Sequence, residues 1–254
     1  MIRRVLQATL ALCALTVPAA AQSTVQFFPD TRFFMDAEHL STDTIHYKWR
    51  ADFHGDVDLV SWPHGGRGTF LANYEVVLGN DFRRFDPEMG NYTLEGSVSQ
   101  AVKHTEVSAV FHHLSRHLSD RPKRFAVDWN TWGVRVKREF SHAPVSVTLQ
   151  GDFRRVVEKS FVDYKNETEA RANLLYSWRP RIGVIANTTL RIVGVDGTAN
   201  RGTQKEGRVE GGVRLGGAGG TVELFLSGER RMDADVTQLR AQNWLAAGFR
   251  LRGR

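Results

Sequence analysis

The residues whose types and spacing could do chemistry are crowded into one decapeptide, FHHLSRHLSD, residues 111–120. It holds three histidines and two serines. On a β-strand, His113 and Ser115 fall on one face, two residues apart, while His112 takes the other face. An imidazole that close to a hydroxyl can act as general base and turn the serine into a nucleophile. His113 is then the base, Ser115 the nucleophile and Asp120 the candidate orienting carboxylate. Asp128, on the following segment, is a second carboxylate, with the parity of the opposite face. His112, His113 and His117 could alternatively ligate a metal, but their spacing on a strand and loop is weak evidence for it. The bland reading is a polar strand end bonded to water, head groups or loops.

Which reading applies depends on the elements that carry the segment. Their period is two. In YKWRADFHGDVDL, residues 47–59, Tyr47, Trp49, Ala51, Phe53, Val57 and Leu59 share one face and Lys48, Arg50, Asp52, Asp56 and Asp58 the other. Similar alternation runs through 68–79, 91–103, 105–115, 125–140, 144–157, 167–178, 181–195, 207–215, 220–231 and 238–252. A weaker twelfth segment spans 33–40. Between Trp129 and Trp132 the apolar parity slips, which predicts a bulge there.

Many segments have the length that a tilted strand needs to cross a bilayer. Short turns at Lys103–Thr105, Ser141–Ala143, Arg179–Pro180 and Gly216–Gly220 alternate with long connections. That asymmetry belongs to bacterial outer-membrane barrels. The expected fold is an all-β, transmembrane, antiparallel up-and-down barrel of about twelve strands, with ten as the alternative. Trp62, Phe140, Trp178 and Phe249 would form an aromatic girdle at the short-turn end.

The N-terminus agrees with export. Arg3 and Arg4 precede an apolar run from Val5 to Val17, and Ala19 and Ala21 form an A-x-A cleavage signal. Residues 1–21 read as a signal peptide and 22–254 as one barrel domain in the bacterial outer membrane. The single cysteine, Cys13, lies in the leader, so disulfides, Cys nucleophiles and Cys-ligated metals are excluded from residues 22–254. Outside the leader, no apolar run is long enough for a membrane helix. Net charge is +6; without Arg3 and Arg4 the 34 basic residues become 32 against 28 acidic. Nucleic acid is not an expected partner of an exported chain. Outer-membrane lipids, lipopolysaccharide among them, and small solutes are.

The polar parity then faces the lumen. Lys48, Arg50, Asp52, Asp58, Glu75, Glu95, Glu106, Asp152, Arg154, Arg171 and Glu210 are the expected lining, with signs mixed enough to pair across strands. The expected function is structural or narrow-pore, with no cofactor and no resident metal. "GGRG" and "GGAGG" sit at turns, not before helices, so they make no phosphate loop.

The segments ADFHGDVDLVSW, TFLANYEVVLG, YTLEGSVSQ and VFHHLSRHLSD resemble an uncharacterised bacterial outer-membrane family. The similarity covers about half the chain and centres on H-x-S-x-H-L-x-D, here His113, Ser115, His117, Leu118 and Asp120. The family has Gly where Ser119 stands and Glu where Arg121 stands. The resemblance implies a barrel. The His-x-Ser pair alone is also similar to outer-membrane lipid A 3-O-deacylases, which implies as the alternative function an acyl-ester hydrolase of outer-leaflet lipid. Whether the chain is an enzyme stays open at this point.

Overall fold

A computed structural model describes residues 25–118, 127–195, 203–232 and 241–253. The expected leader, residues 1–21, and Asp120 lie outside them. The strands are β1 (Gln26–Ser41), β2 (Trp49–Trp62), β3 (Gly66–Gly79), β4 (Asp86–Val102), β5 (Thr105–Leu118), β6 (Val127–His142), β7 (Val145–Lys159), β8 (Tyr164–Arg179), β9 (Ile182–Val195), β10 (Gln204–Gly216), β11 (Gly220–Arg231) and β12 (Gln242–Gly253). Each pairs antiparallel with its sequence neighbours, and β1 pairs with β12, so the barrel is closed with twelve strands.

Connections at one end are two or three residues long; those at the other are four to ten. The tight turns use backbone that few residues adopt. In the three-residue β2–β3 connection His64 and Gly65 both have positive φ (64° and 75°), the left-handed region that favours glycine. Just beyond, Trp62 lies across Gly66, where a Cβ would fall 1.8 Å from the indole nitrogen.

Apolar side chains stand out from the wall on every side. Phe53, Phe70, Leu94, Val134, Phe153, Leu190, Val209, Leu226 and Leu245 are all exposed, Leu245 at 69%. A belt of this extent is untenable in water but suits hydrocarbon. Among the described residues no helix is long and apolar enough to cross a membrane. The strands, 12 to 17 residues long, exceed the span that crossing requires. Toward the short-turn end Phe140 and Trp178 are exposed, each with an arginine over its ring, Arg138 at 4.7 Å and Arg179 at 4.9 Å. Aromatic bodies with cationic tips fit a membrane interface.

Several expectations need correction. The first strand is a full partner of sixteen residues, not a weak one. β2 starts at Trp49, so Lys48 sits in the preceding loop and its Nζ donates to the Thr42 carbonyl at 2.8 Å. No parity slip occurs within β6: Val127, Trp129 and Thr131 all point inward, Asp128 and Asn130 outward. The irregularity is across the seam on β7, where Asn130 opposes Glu158 and Thr131 opposes Val156. Trp129 broke the apparent pattern because it packs inside the barrel.

That inward tryptophan belongs to a wider exception. Near the long-loop end the inner wall is apolar. Leu114, Val127, Trp129, Val162, Tyr164, Val193 and Val195 form one buried cluster. Leu40, Tyr47, Val77, Met89, Trp244 and Ala246 form another. The rule of apolar outside and polar inside holds over the membrane and fails above it, where both faces leave the hydrocarbon.

Candidate functional site

Residues 111–118 of the rim segment lie on the upper half of β5, at the long-loop end. Alternation sends His112, Leu114 and Arg116 inward and His113, Ser115 and His117 outward. His112 Nδ1 contacts Glu95 Oε2 at 3.4 Å inside the barrel. The three histidines therefore face opposite sides of the wall and make no common metal site.

On the outer face His113 does not meet Ser115. Its Nδ1 bonds Asn130 Oδ1 at 2.6 Å, and Asn130 Nδ2 donates to Glu158 Oε2 at 2.9 Å. Ser115 Oγ instead lies 2.8 Å from His117 Nε2. His117 stands edge-on to Tyr92, with ring centroids 5.4 Å apart. Asp128 is the cross-strand partner of Ser115 and shares its outward face, contrary to the parity expected for it. The physical reason is register: β5 and β6 pair residue for residue here, so His113 faces Asn130 and leaves Ser115 to the next outward histidine.

The lumen is the second site. Arg50 Nη1 bonds Glu229 at 2.7 Å and its other terminal nitrogen meets Glu38. Glu38 also accepts from both terminal nitrogens of Arg208, at 3.0 and 2.8 Å, and from Ser227 Oγ at 3.1 Å. Arg250 binds Asp36, Glu210 and Glu223 at 3.0, 2.8 and 2.9 Å. On the opposite wall Arg135 clamps Glu95 and Asp152, while Arg154 and Arg191 share Glu167.

Some pairs cross the interior instead of running along the wall. Arg208 and Glu38 stand on strands three apart, as do Arg50 and Glu229. Arg231 and Glu75 stand on strands four apart. The middle layer is the most buried: Glu38 is 1% exposed and Arg154 2%. Below it the side chains meet solvent again, with Arg171 at 47% and Arg252 at 40%. The lumen thus has a vestibule at the short-turn end, a layer of largely buried ion pairs at mid-height, and apolar patches on the inner wall near the long loops.

Among the residues expected to line the lumen, Arg50, Asp52, Asp58, Glu75, Glu95, Glu106, Asp152, Arg154, Arg171 and Glu210 point inward; Lys48 does not lie on a strand. Asp52 accepts from Asn73, Asp58 from Arg32 and Thr69, and Glu106 from Arg67. Glu38, Glu167 and Arg231 were missed. Their signal was present for Arg231, which continues the parity of Glu223, Ser227 and Glu229. For Glu38 it lay in the first strand, where Asp36, Glu38 and Leu40 alternate with Met35, Ala37 and His39.

A chain closed by twelve strands, belted with apolar residues and ionic inside, has known counterparts. The fold is that of outer-membrane β-barrel channels. A crystal structure of an outer-membrane channel from Pseudomonas putida F1 matches 94% of this chain and 99% of its own, with a TM-score of 0.54 and 10% identity. The Acinetobacter baumannii channel DcaP matches 93% of this chain and 99% of its own at 10% identity, with a TM-score of 0.45. The A. baumannii outer membrane protein Omp33 matches 88% and 97% at 12% identity, with a TM-score of 0.44. The fold assignment rests on the first of these. No protein family and no curated protein matches the chain by sequence.

Proposed function

We propose that this protein is a bacterial outer-membrane barrel of narrow-pore type, carrying small solutes at a rate limited by ion pairs that span its lumen. The observation that carries the reading is the Arg231–Glu75 pair together with Arg50–Glu229 and Arg208–Glu38. Arg50 and Arg208 are each held by carboxylates from more than one strand and Arg231 by Glu75, so passage requires pairs to part and re-form. Similarity to a P. putida outer-membrane channel supports the membrane and the fold class. Planar-bilayer recording is the test. Small or infrequent conductance steps that grow when Arg231 is truncated would support a narrow pore. Silence from both wild type and variant would leave a sealed, purely structural barrel.

Outer-leaflet lipids, lipopolysaccharide included, are the partners proposed for the outer wall. A groove of about 570 Å³ runs there between Leu190, Val209 and Leu245, floored by Gly207 and Gly228. Arg230 stands at its long-loop edge, where a phosphorylated head group would lie. The acyl chain takes the glycine floor, and the guanidinium takes the phosphate.

A second reading is favoured by one contact. Ser115 and His117 are within hydrogen-bond distance on the exposed outer face at head-group level. Ser115 Oγ would attack a lipid ester carbonyl while its proton passes to His117 Nε2. The departing alcohol then takes that proton, and water releases the fatty acid from the serine. His113, bound to Asn130, is not the base in this scheme. Lipid mass spectrometry of cells expressing wild type or Ser115→Ala tests it: identical profiles would end the hydrolase reading.

A further inference from the structure

We propose that His46, Asp81 and Glu88 form a divalent transition-metal site that clasps two loops at the long-loop mouth of the barrel. His46 lies between β1 and β2, Asp81 between β3 and β4, and Glu88 three residues into β4. His46 Nδ1 is 2.9 Å from Asp81 Oδ2 and 3.6 Å from Glu88 Oε2. One ligand atom from each residue lies within 4.8 Å of the other two. An ion bound at about 2.0–2.2 Å by nitrogen and oxygen holds adjacent ligands roughly 3–3.6 Å apart. Both distances from His46 fall at about that spacing, and the two carboxylates lie within 4.8 Å of each other.

The polar bookkeeping of the cluster points the same way. His46 Nδ1 and Asp81 Oδ1 are shielded from water and make no hydrogen bond. The 2.9 Å contact between imidazole and carboxylate is therefore close in distance but misaligned as a hydrogen bond. Both unpartnered atoms can donate a lone pair, and a shared cation would engage them. A buried polar atom left unsatisfied is otherwise destabilising.

The backbone holds the ligands in place. The Asn80 N–H donates to the Ile45 carbonyl at 2.8 Å, and the Lys48 N–H to the Leu78 carbonyl at 2.9 Å, so the two loops are laced together. Asp86, the nearest other carboxylate on β4, is engaged by the Phe82 N–H at 3.2 Å and by Arg83 Nε at 3.1 Å. Gly79 makes room for Glu88: a Cβ there would stand 2.7 Å from Glu88 Oε1 and 2.6 Å from the Ile45 carbonyl oxygen. One imidazole nitrogen and two carboxylates match zinc, manganese or cobalt better than calcium or magnesium, which take oxygen ligands. Three protein ligands leave further positions for water.

Tyr47 follows His46 and Met89 follows Glu88, and both belong to the inner apolar cluster beneath the mouth. Metal binding would therefore fix that cluster as well as the loops.

The test uses the full barrel, purified in detergent, stripped with EDTA and titrated with ZnCl2 by calorimetry. Co2+ serves as a visible-absorption probe that Zn2+ displaces. One ion per barrel is expected, with His46→Ala and Asp81→Asn each weakening binding at least tenfold. His104→Ala, at the opposite end, should bind as wild type does. Heat-modifiable migration on gels reports folding of each variant. Should His46→Ala fail to fold, the near-isosteric Asp81→Asn carries the test. Absence of binding to wild type, or equal binding by wild type and the folded ligand variants, would overturn the proposal.

Discussion

Arg231 on β11 grips Glu75 on β3, four strands away around the wall, and Glu75 accepts in turn from Asn91 Nδ2 on β4. A pair that reaches this far runs through the interior and not along its surface. Arg231→Ala should remove the bridge and widen the path. The expected result is a severalfold larger unit conductance in planar bilayers, with little change in heat-modifiable migration. Glu75→Gln should have a smaller effect, since an amide still accepts from Arg231.

Glu38 is shared by Arg50, Arg208 and Ser227. Glu38→Ala removes a carboxylate from two guanidinium groups at once, leaving both to share Glu229. Breaking a buried pair costs about 3–5 kcal/mol. The barrel should lose its heat-resistant band at a clearly lower temperature. Glu38→Gln, which keeps the acceptor but not the charge, should fall between.

Trp129 fills the inner cluster near the long loops, with Tyr164 at a ring distance of 4.1 Å. Trp129→Ala should cost about 3–5 kcal/mol, the range for emptying a large aromatic site. Urea titration followed by the gel shift would measure it.

On the rim the two histidines should separate cleanly if the hydrolase reading holds. His117→Ala should lower lipid hydrolysis about 10²- to 10⁴-fold, the worth of a general base. His113→Ala should stay near wild type, since that ring is bound to Asn130. Equal losses from both would argue for a structural role of the rim.

Val209, exposed near the middle of β10, tests the membrane belt. Val209→Arg should cost about 2–4 kcal/mol in bilayers. The same substitution should be nearly silent in detergent micelles that accommodate the guanidinium.

Strand number, closure and the sense of most side chains were legible because alternation is enforced wherever one wall face meets lipid. Phe53, Leu149, Val209 and their polar alternates obey it. The rule weakened at Trp129, Leu114 and Met89, above the hydrocarbon, where either face can be apolar. The rim was half legible. Parity put His113 and Ser115 on one face, but His117 fell beyond the expected strand, and its place beside Ser115 needed the longer β5 and the β5–β6 register that pairs His113 with Asn130. The His46, Asp81 and Glu88 cluster left no sequence signal, since two members lie on separate connections and one on β4, and they meet only when β1 to β4 pair.

The junction of β1 with β12 also governs the order in which the molecule can assemble. Phe33 pairs with Gly253 and Ser41 with Leu245, partners separated by nearly the whole described chain. Contacts of such sequence separation carry the largest loop-closure cost and form slowly. Until they form, β1 and β12 each present an unpaired edge open to other chains. Asp36 and Glu38 also wait for Arg250 and Arg208 until that moment. Zipping the seam and neutralising the interior are therefore one late, concerted event. A chain halted just short of it would be a sticky, charged sheet that needs an escort to the membrane.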